Sequence, residues 1–196
     1  MDGRRTAVFR LIGAMNATDR AAIVQAGATP TQLIGFTSVQ IALATTVDQM
    51  RGSPDKIGLF DAVALSAQLA AQQKGRLTAV VVLSGIVSSN GDAATAGSAL
   101  STLRDSGAPL FAISMSPGQD LISFFQQAAL DTSGWSSLAQ QSYDFAGQQL
   151  AGILANQYQI SYVTNQSTGR PHTVTVPVTA SQGQATGTRM YPRCGL

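Results

Sequence analysis

The feature of this sequence that most limits its fold is a short apolar run, LTAVVVLS, at Leu77–Ser84. Four apolar residues follow one another from Val80 to Leu83, so a strand formed here would be apolar on both faces. Such strands are typical of parallel sheets that helices cover on both sides. Helical patterns flank the run, at Leu59–Gln73 before it and at Thr95–Asp105 after it. The run therefore predicts an α/β fold with a largely parallel sheet.

The rest of the chain continues this alternation. Further helices are predicted at Thr6–Met15, Val39–Met50, Gln119–Leu130 and Ser142–Ala155, and further strands at Ala21–Ala26, Gln32–Phe36, Pro109–Ser114, Gln157–Val163, His172–Thr179 and Thr186–Tyr191. The first two of these strands are expected to pair as a hairpin, and so are those at 157–163 and 172–179. We predict a three-layer, Rossmann-like α/β core at residues 1–156, with a mostly parallel sheet and helices on both faces. An antiparallel C-terminal β-hairpin at residues 157–196 is expected to extend the same domain.

Three local patterns give more detailed expectations. Ser38 is the expected N-cap of the helix that follows it. Phe124 and Phe125 are adjacent on a predicted helix, so we expect one in the core and the other in a groove or interface. Trp135 follows a polar turn, and we expect it to pack beneath a loop, the alternative being an exposed anchor for a partner.

Composition excludes some classes of function. Charged residues make up 11% of the chain and the formal net charge is +2, which gives no argument for nucleic-acid binding. No apolar run approaches the ~20 residues that a membrane-spanning helix needs. Arg10 interrupts the apolar stretch near the start, so that stretch does not resemble a signal peptide. The low charge and the many Gln, Ser and Thr residues favour an exported protein over a cytoplasmic one.

The residues that usually carry catalysis are scarce. The chain has one histidine, His172, in a predicted strand, and one cysteine, Cys194, near its end. Neither a Ser-His-Asp nor a Cys-His arrangement is indicated, and no Gly-x-Ser-x-Gly motif is present. The glycines after the apolar run, Gly85, Gly91 and Gly97, do not have the spacing of a dinucleotide or P-loop motif. We therefore expect no catalytic residues and no cofactor.

Several segments, taken in order, resemble a known family. They are Asp19–Val24 (compare DRVALV), Gly58–Ala62 with Asp61 (TALYDA), Ala79–Ser84 (ALVLLSDG), Leu103–Ser114 (AKEAGVPVYTIG), Ile153–Tyr162 (ELRNQYVLGYYP), His172–Val178 (KIRVEV) and Thr188–Tyr191 (ARRGYY). From about residue 3 to 191 the chain resembles the von Willebrand factor A (vWA) domain, in particular a vWA-related form found in acidobacterial-type proteins. The resemblance implies a vWA-like fold and a role in protein binding.

The resemblance also implies a magnesium site, from which this sequence departs. In the family a DxSxS loop, a threonine and an aspartate bind Mg²⁺, a hard cation that requires oxygen ligands. The position that matches the threonine is Ile57, and the position that matches the aspartate is Gly85. Neither side chain offers oxygen, so we expect a degenerate site without a metal.

The family's first strand and its DxSxS loop do not occur in this sequence. Residues 1–4, MDGR, resemble the segment that directly follows that loop. In vWA domains the first strand lies in the middle of the sheet, and its loss would leave main-chain groups without partners. The sheet could re-pair across the gap, another chain could donate a strand, or further residues could precede residue 1; we favour the first two.

The preferred functional prediction is a non-enzymatic protein-binding or assembly module of vWA type. Ligands of open α/β sheets bind at the carboxyl ends of the strands, which here indicates the loops at 52–58, 85–92 and 114–119. The candidate partner-binding residues are Ser53, Asp55, Lys56, Ser88, Asn90, Asp92, Ser116 and Gln119. One alternative is a structural subunit of a larger complex that completes its sheet with a strand from another chain. The other is a Rossmann-like enzyme with an unrecognised cofactor.

Overall fold

Helices and strands alternate along the computed structural model, which describes residues 3–51, 56–115, 117–138, 142–156, 172–180 and 183–191. The chain forms two compact units, residues 1–158 and residues 159–196. The helices of the first unit are α1 (Gly3–Gly13), α2 (Gln40–Gln49), α3 (Leu59–Ala71), α4 (Ala96–Ser106), α5 (Gln119–Thr132) and α6 (Tyr143–Ala155), and its strands are β1 (Ala21–Gln25), β2 (Thr31–Thr37), β3 (Val80–Ser84), β4 (Leu110–Ser114) and β5 (Trp135–Leu138). The second unit contains β6 (His172–Ala180) and β7 (Gly183–Tyr191). None of the described helices is long and apolar enough to span a membrane.

The predicted parallel sheet is present, with β4 between β3 and β5. Val80 pairs with Leu110, and Phe111 pairs with Trp135, both in parallel register. Strands β1 and β2 form the predicted antiparallel hairpin, with register shifts on either side of Ile23. Within the described part of the chain, this hairpin and the three-stranded sheet are separate, so β1 and β3 do not pair with each other. The expected re-pairing across the gap is therefore not what these strands do.

Helices cover both faces of the three-stranded sheet, as the apolar run predicted. On one face Leu110 and Ala112 of β4 pack in a cluster with residues of α3, α4 and α5. On the other face Phe111 and Ile113 pack with residues of α1 and α6. All five residues of β4 are buried, which is the pattern of a strand with neighbours on both edges and helices on both faces.

The close packing of α1 against α6 depends on small residues. Ala7 of α1 is fully buried, and a Cβ placed on Gly147 of α6 would lie only 3.0 Å from the Ala7 Cβ. Larger side chains at this crossing would push the helices apart. The ion pair between Arg10 and Asp144 joins the same two helices at the surface, with 2.9 Å between Nε and Oδ1.

Two helices of the first unit begin in different ways. Thr95 caps α4, and its side chain and that of Ser98 bond reciprocally to each other's main-chain N–H groups. Ser38, however, is not the N-cap of α2, and that prediction is wrong. The helix starts one residue later, after Val39, whose N–H donates to the Thr37 hydroxyl oxygen at 3.1 Å.

Strand β5 was not predicted from the sequence, because its four residues carry a weak pattern between two polar segments. Trp135 begins this strand and packs, half-buried, against the α1 and α6 side of the core. The expectation that Trp135 packs against the protein, and is not an exposed anchor, agrees with this position. The preceding residue has to be a glycine, because a Cβ on Gly134 would lie 1.8 Å from the main-chain oxygen of Leu110.

The two adjacent phenylalanines of α5 are both in the core, contrary to expectation. Phe124 is 5% exposed and Phe125 is 3% exposed. Helix α5 packs against β4, β5 and α4, so its buried face is wide enough to take both rings. Phe124 also contacts Phe60 of α3 in an edge-to-face arrangement, with 4.8 Å between ring centroids.

In the second unit, β6 and β7 form an antiparallel hairpin. His172 pairs with Tyr191 at one end, and Ala180 pairs with Gly183 at the turn. The predicted strand at 172–179 is confirmed, and the short final strand is longer than predicted. The described partner of β6 is β7; the arm that was predicted at 157–163 lies outside the described residues.

Replacing Thr132 by valine is expected to lower the free energy of unfolding by about 1–3 kcal/mol. The buried Thr132 hydroxyl donates to the Ala128 oxygen at 2.7 Å and accepts from the Leu110 N–H at 2.9 Å. Valine has nearly the same shape but would leave that buried N–H without a partner. Urea denaturation of the variant and of Thr102→Val measures the difference. Thr102 bonds only to a carbonyl of its own helix, at 3.0 Å from the Ser98 oxygen, so an equal loss in both variants would contradict this account.

Candidate functional site

The candidate site lies where the parallel strands β3, β4 and β5 end, because their carboxyl ends meet at one edge of the sheet. We call the described loops at this edge the rim. The rim consists of residues 56–58, 85–95, 115, 117 and 118. Main-chain bonds join the rim loops: the Gly118 N–H donates to the Val87 oxygen at 2.7 Å, and the Met115 N–H donates to the Ser84 oxygen at 3.0 Å. The carboxyl end of β1 reaches the same edge, since the Gly58 N–H donates to the Gly27 oxygen at 2.8 Å.

A set of side-chain hydrogen bonds, which we call the clasp, holds the loop after β3 against the start of α3. The Asn90 carboxamide oxygen accepts from the Ile57 N–H at 3.0 Å, and the Ser89 hydroxyl oxygen accepts from the Leu59 N–H at 2.8 Å. The Asp92 carboxylate accepts from the Asp61 N–H at 3.0 Å. The Ser89 hydroxyl also contacts both the Asp92 carboxylate and the Ile57 oxygen, and its single proton can be donated to one of them.

The clasp caps a helix from a distance. The first turn of a helix has N–H groups without partners inside the helix, and a side chain just before the helix usually accepts from them. The residue in that position here is Gly58, which has no side chain. Ser89 and Asp92 supply the missing acceptors from about 30 residues further along the chain. The negative charge of Asp92 is also favourable at this end of the helix dipole.

Asp61 of α3 makes the reciprocal hydrogen bonds to the loop before α4. Its two carboxylate oxygens accept from the main-chain N–H groups of Ala93 and Ala94, at 2.8 and 2.7 Å. The hydrogen bonds are therefore reciprocal. A carboxylate from the loop before α4 accepts from an N–H group at the start of α3, and a carboxylate from α3 accepts from N–H groups of that loop. This reciprocal arrangement fixes the loop conformation, and it uses the oxygens of both carboxylates.

The structure brings together only some of the predicted partner-binding residues. Asn90 and Asp92 meet in the clasp, with Asn90 exposed and Asp92 half-buried. Lys56 and Ser88 are exposed at separate positions of the rim, and Gln119 is exposed next to it, at the start of α5. Ser53, Asp55 and Ser116 lie outside the described residues.

Two sets of rim residues were missed by reasoning from the sequence. Ser89 and Asp61 hold the clasp together; Asp61 stood in a quoted motif, but nothing in the sequence showed which N–H groups its carboxylate would accept from. Val87 and Met115 are apolar and exposed at the rim, by 65% and 37%. Their exposure could not be predicted, because an apolar residue type in a loop does not by itself show whether the side chain is buried.

The rim residues do not fit the magnesium site that the family resemblance implies. Ile57 offers the site no side-chain oxygen, and the Asp61 and Asp92 carboxylates are used by main-chain N–H groups. At Gly85, a Cβ would lie 3.2 Å from the Tyr143 hydroxyl and 3.3 Å from a guanidinium nitrogen of Arg4. A guanidinium cation so close is unfavourable for Mg²⁺. Among the described residues, no three His, Cys, Asp or Glu side chains are grouped as metal ligands.

An ionisable pair outside the rim joins Arg104, in the last turn of α4, to Asp131, in the last turn of α5. The Gln127 amide donates to Asp131 at 2.7 Å and Arg104 also bonds to it, so the pKa of the Asp131 carboxyl lies below its ordinary value, although burial partly opposes the shift. Because this pKa is lowered, the pair's stabilisation is present at neutral pH and is lost as the pH falls through the folded-state pKa.

Replacing Asp61 by alanine is expected to lower the free energy of unfolding by about 2–4 kcal/mol, because two main-chain N–H groups lose a charged acceptor. Chemical denaturation measures the loss. The matched control is Asp105→Ala on the exposed side of α4, for which a change within about 0.5 kcal/mol is expected. Equal stability of the two variants would show that the clasp does not hold the rim.

The comparisons with known proteins give a consistent picture of the fold. No family model matches the chain, and no curated protein sequence matches it. Among solved structures, it is similar to the conserved hypothetical protein BatB from Bacteroides thetaiotaomicron, at 13% identity and a TM-score of 0.62, over 77% of this chain and 84% of that one. An aerotolerance-related membrane protein from Bacteroides fragilis is similar at 14% identity and a TM-score of 0.62, over 79% and 88% of the two chains. A von Willebrand factor type A protein from Catenulispora acidiphila is similar at 8% identity and a TM-score of 0.63, over 78% of this chain and 37% of that longer one.

Identities this low establish the fold and nothing finer. The fold class that was predicted from the strand and helix patterns, and the resemblance in fold that the quoted segments indicated, are both confirmed. From its strand order, its layers and its similarity to these structures, the chain has a von Willebrand factor A-like α/β fold.

Proposed function

We propose that this chain is a non-enzymatic protein-binding module that contacts its partner through the rim. The vWA-like fold supports the proposal, because such folds commonly serve as protein-interaction modules. The observation that carries it is Val87, an apolar side chain that is 65% exposed on a loop whose conformation is fixed.

The loop around Val87 is held from both sides. The Val87 oxygen accepts from the Gly118 N–H, and the clasp fixes the following residues through Asn90 and Ser89. A loop held in one conformation loses little conformational entropy when a partner binds, so more of the interaction energy contributes to affinity. An exposed apolar residue on a rigid loop is a typical anchor of a protein interface.

The chemistry of the rim favours shape fit over electrostatic attraction. Asp61 and Asp92 direct their carboxylates toward the protein's own N–H groups. Lys56 is an exposed charged residue of the rim, whereas Ser88, Asn90 and Gln119 offer neutral polar groups on the same side as the apolar Val87. An apolar centre with a polar border is the usual composition of protein–protein interfaces. We therefore expect binding that changes little with ionic strength.

Val87→Asp is expected to reduce recovery of a stoichiometric partner from extracts of the source cells by about 10-fold or more, because a charge would be buried in the interface. The matched control is Leu130→Asp, which alters a side chain that is 78% exposed on the last turn of α5, away from the rim. Quantitative mass spectrometry of captured proteins compares both variants with the unaltered chain. Retention of the partner by Val87→Asp, or its equal loss from both variants, would contradict binding through the rim.

An enzymatic alternative, in which the rim holds an unrecognised cofactor, is tested by thermal denaturation with Mg²⁺, Mn²⁺ and nucleotides. We expect no stabilisation, because a ligand raises the melting temperature only if the folded protein binds it. A clear upward shift with any of these compounds would favour the enzyme.

The second candidate function is that of a structural subunit whose sheet is completed by a strand from another chain. The separation of the β1–β2 hairpin from the three-stranded sheet favours this candidate. It concerns a different surface from the rim, so one protein can have both functions.

A further inference from the structure

A small cavity lies between helix α5 and the carboxyl-terminal halves of strands β4 and β5. Its volume is about 40 Å³. Ala112 and Ser114 of β4 and Phe125 of α5 line it and are buried, whereas Gln126 and Leu138 line it and are exposed. The cavity therefore extends from the core to the surface of the first unit. None of the residues that line it belongs to the rim.

Small side chains account for the position of this cavity. Leu110, Ala112 and Ser114 occupy alternate positions of β4 and so point to the same face of the sheet. That face packs on α5, because Leu110 and Ala112 belong to one apolar cluster with residues of that helix. Ser136 of β5 pairs with Ala112 in parallel register and shares the face. Beyond the large Leu110, three small side chains thus lie next to one another and leave a space beneath α5.

The Ser114 hydroxyl has no hydrogen-bond partner among the described residues. The residue is 1% exposed, and its side chain lines the cavity on the α5 face of the sheet. Ser84, which pairs with Ser114 from β3, is buried as well, but its hydroxyl oxygen accepts from the Ile86 N–H at 3.4 Å. Buried polar groups nearly always have a partner in the protein or in a bound molecule. An unpartnered hydroxyl directed into a cavity therefore indicates a binding site.

The size of the cavity limits what can bind in it. One water molecule needs roughly 10–15 Å³ of such space, so the cavity admits about three non-hydrogen atoms. Ser114 and Ser136 are diagonal neighbours on adjacent strands, which places their Cα atoms about 8 Å apart. A single water that bonds to two hydroxyls spans less than ~6 Å. A carboxamide has its oxygen and nitrogen about 2.2 Å apart, so with one hydrogen bond at each end it spans about 8 Å.

The lining of the cavity favours a neutral group. None of the residues that line it is charged, and the apolar Phe125 and Leu138 form part of its wall. A charged group would lose its hydration there without gaining a counter-ion, which is strongly unfavourable. The serine hydroxyls can both donate and accept, so they suit a group that does the same.

We propose that this cavity binds one primary carboxamide group. The Ser114 hydroxyl donates to the carboxamide oxygen, and the Ser136 hydroxyl oxygen accepts from the carboxamide nitrogen. The group belongs either to a free small molecule or to an Asn or Gln side chain of a partner, and the test separates these sources. The site shares no residue with the rim, so the proposal goes beyond the proposed function and does not depend on it.

The test titrates the full, isotope-labelled chain with acetamide and follows the main-chain amide signals by NMR. Saturable shifts are expected at Ala112, Ser114 and Ser136, with a Kd on the order of 1 mM for a ligand of this size. Ser114→Ala and Ser136→Ala should each weaken binding by about 3- to 10-fold, because each removes one hydrogen bond. The matched control is Ser84→Ala, which changes a buried serine that does not line the cavity and should leave the Kd unchanged.

Two further comparisons define the chemistry and the source of the ligand. Acetate has the shape of acetamide but carries a charge, so no saturable shifts are expected at the cavity. The peptide Gly-Gly-Gln-Gly-Gly is compared with Gly-Gly-Glu-Gly-Gly. Binding of the glutamine peptide alone would support the side chain of a partner as the source, whereas binding of acetamide without either peptide would support a free small molecule.

Four results would overturn the proposal. They are the absence of saturable shifts up to about 100 mM acetamide, roughly 100 times the expected Kd, equal binding of acetate, an unchanged Kd in both Ser114→Ala and Ser136→Ala, and a crystal structure grown with acetamide in which the cavity holds water only. Acetamide binding should be the same in Val87→Asp as in the unaltered chain. Failure of the rim proposal and failure of this one can therefore be told apart.

Discussion

Buried main-chain N–H and C=O groups of a β-strand need hydrogen-bond partners, and this requirement organises the first unit of the protein. Strand β4 meets it fully, with β3 on one side and β5 on the other, and it is buried throughout. Strands β3 and β1 meet it on one edge each within the described residues. What keeps the hairpin in place beside the sheet is helix packing, because α1 and α3 each contact both parts. The apolar clusters on the two faces therefore hold the hairpin and the sheet together, as a continuous ladder of hydrogen bonds does in an unbroken sheet.

At the rim, the decisive point is how carboxylate oxygens are used. Asp61 and Asp92 accept from main-chain N–H groups that would otherwise lack partners at the start of α3 and before α4. Arg4 lies close to Gly85, where the family resemblance places an aspartate. The hydrogen bonds of the two carboxylates hold the rim loops in place. A rim whose loops are held by hydrogen bonds, with an exposed Val87, is the basis of the proposed protein-binding role.

Much of the fold could be predicted from local patterns, because those patterns have local physical causes. The apolar run at β3 and the hairpin of β1 and β2 both depend on residues that are close in the sequence. Strand β5 could not be predicted, since four residues with two serines form a strand only beside β4, and Gly134 is required only by the carbonyl of Leu110. The burial of both Phe124 and Phe125 depends on the width of the surface that α5 packs against. The sequence pattern of one helix does not show that width.

The candidate site divides along the same line. The sequence by itself determined the α/β class, the location of the rim loops and the absence of side-chain oxygen at residues 57 and 85, because each follows from residue type and periodicity. Only the tertiary structure decided that Asn90 and Asp92 serve the start of α3, that Ser89 joins them, and that Val87 is exposed. It also decided that β1 and β3 stay apart. The physical reason is that these features depend on distances in space between residues that are far apart in the sequence. The hydrogen-bond partners are about 30 residues apart, and one helix packs on two sheets.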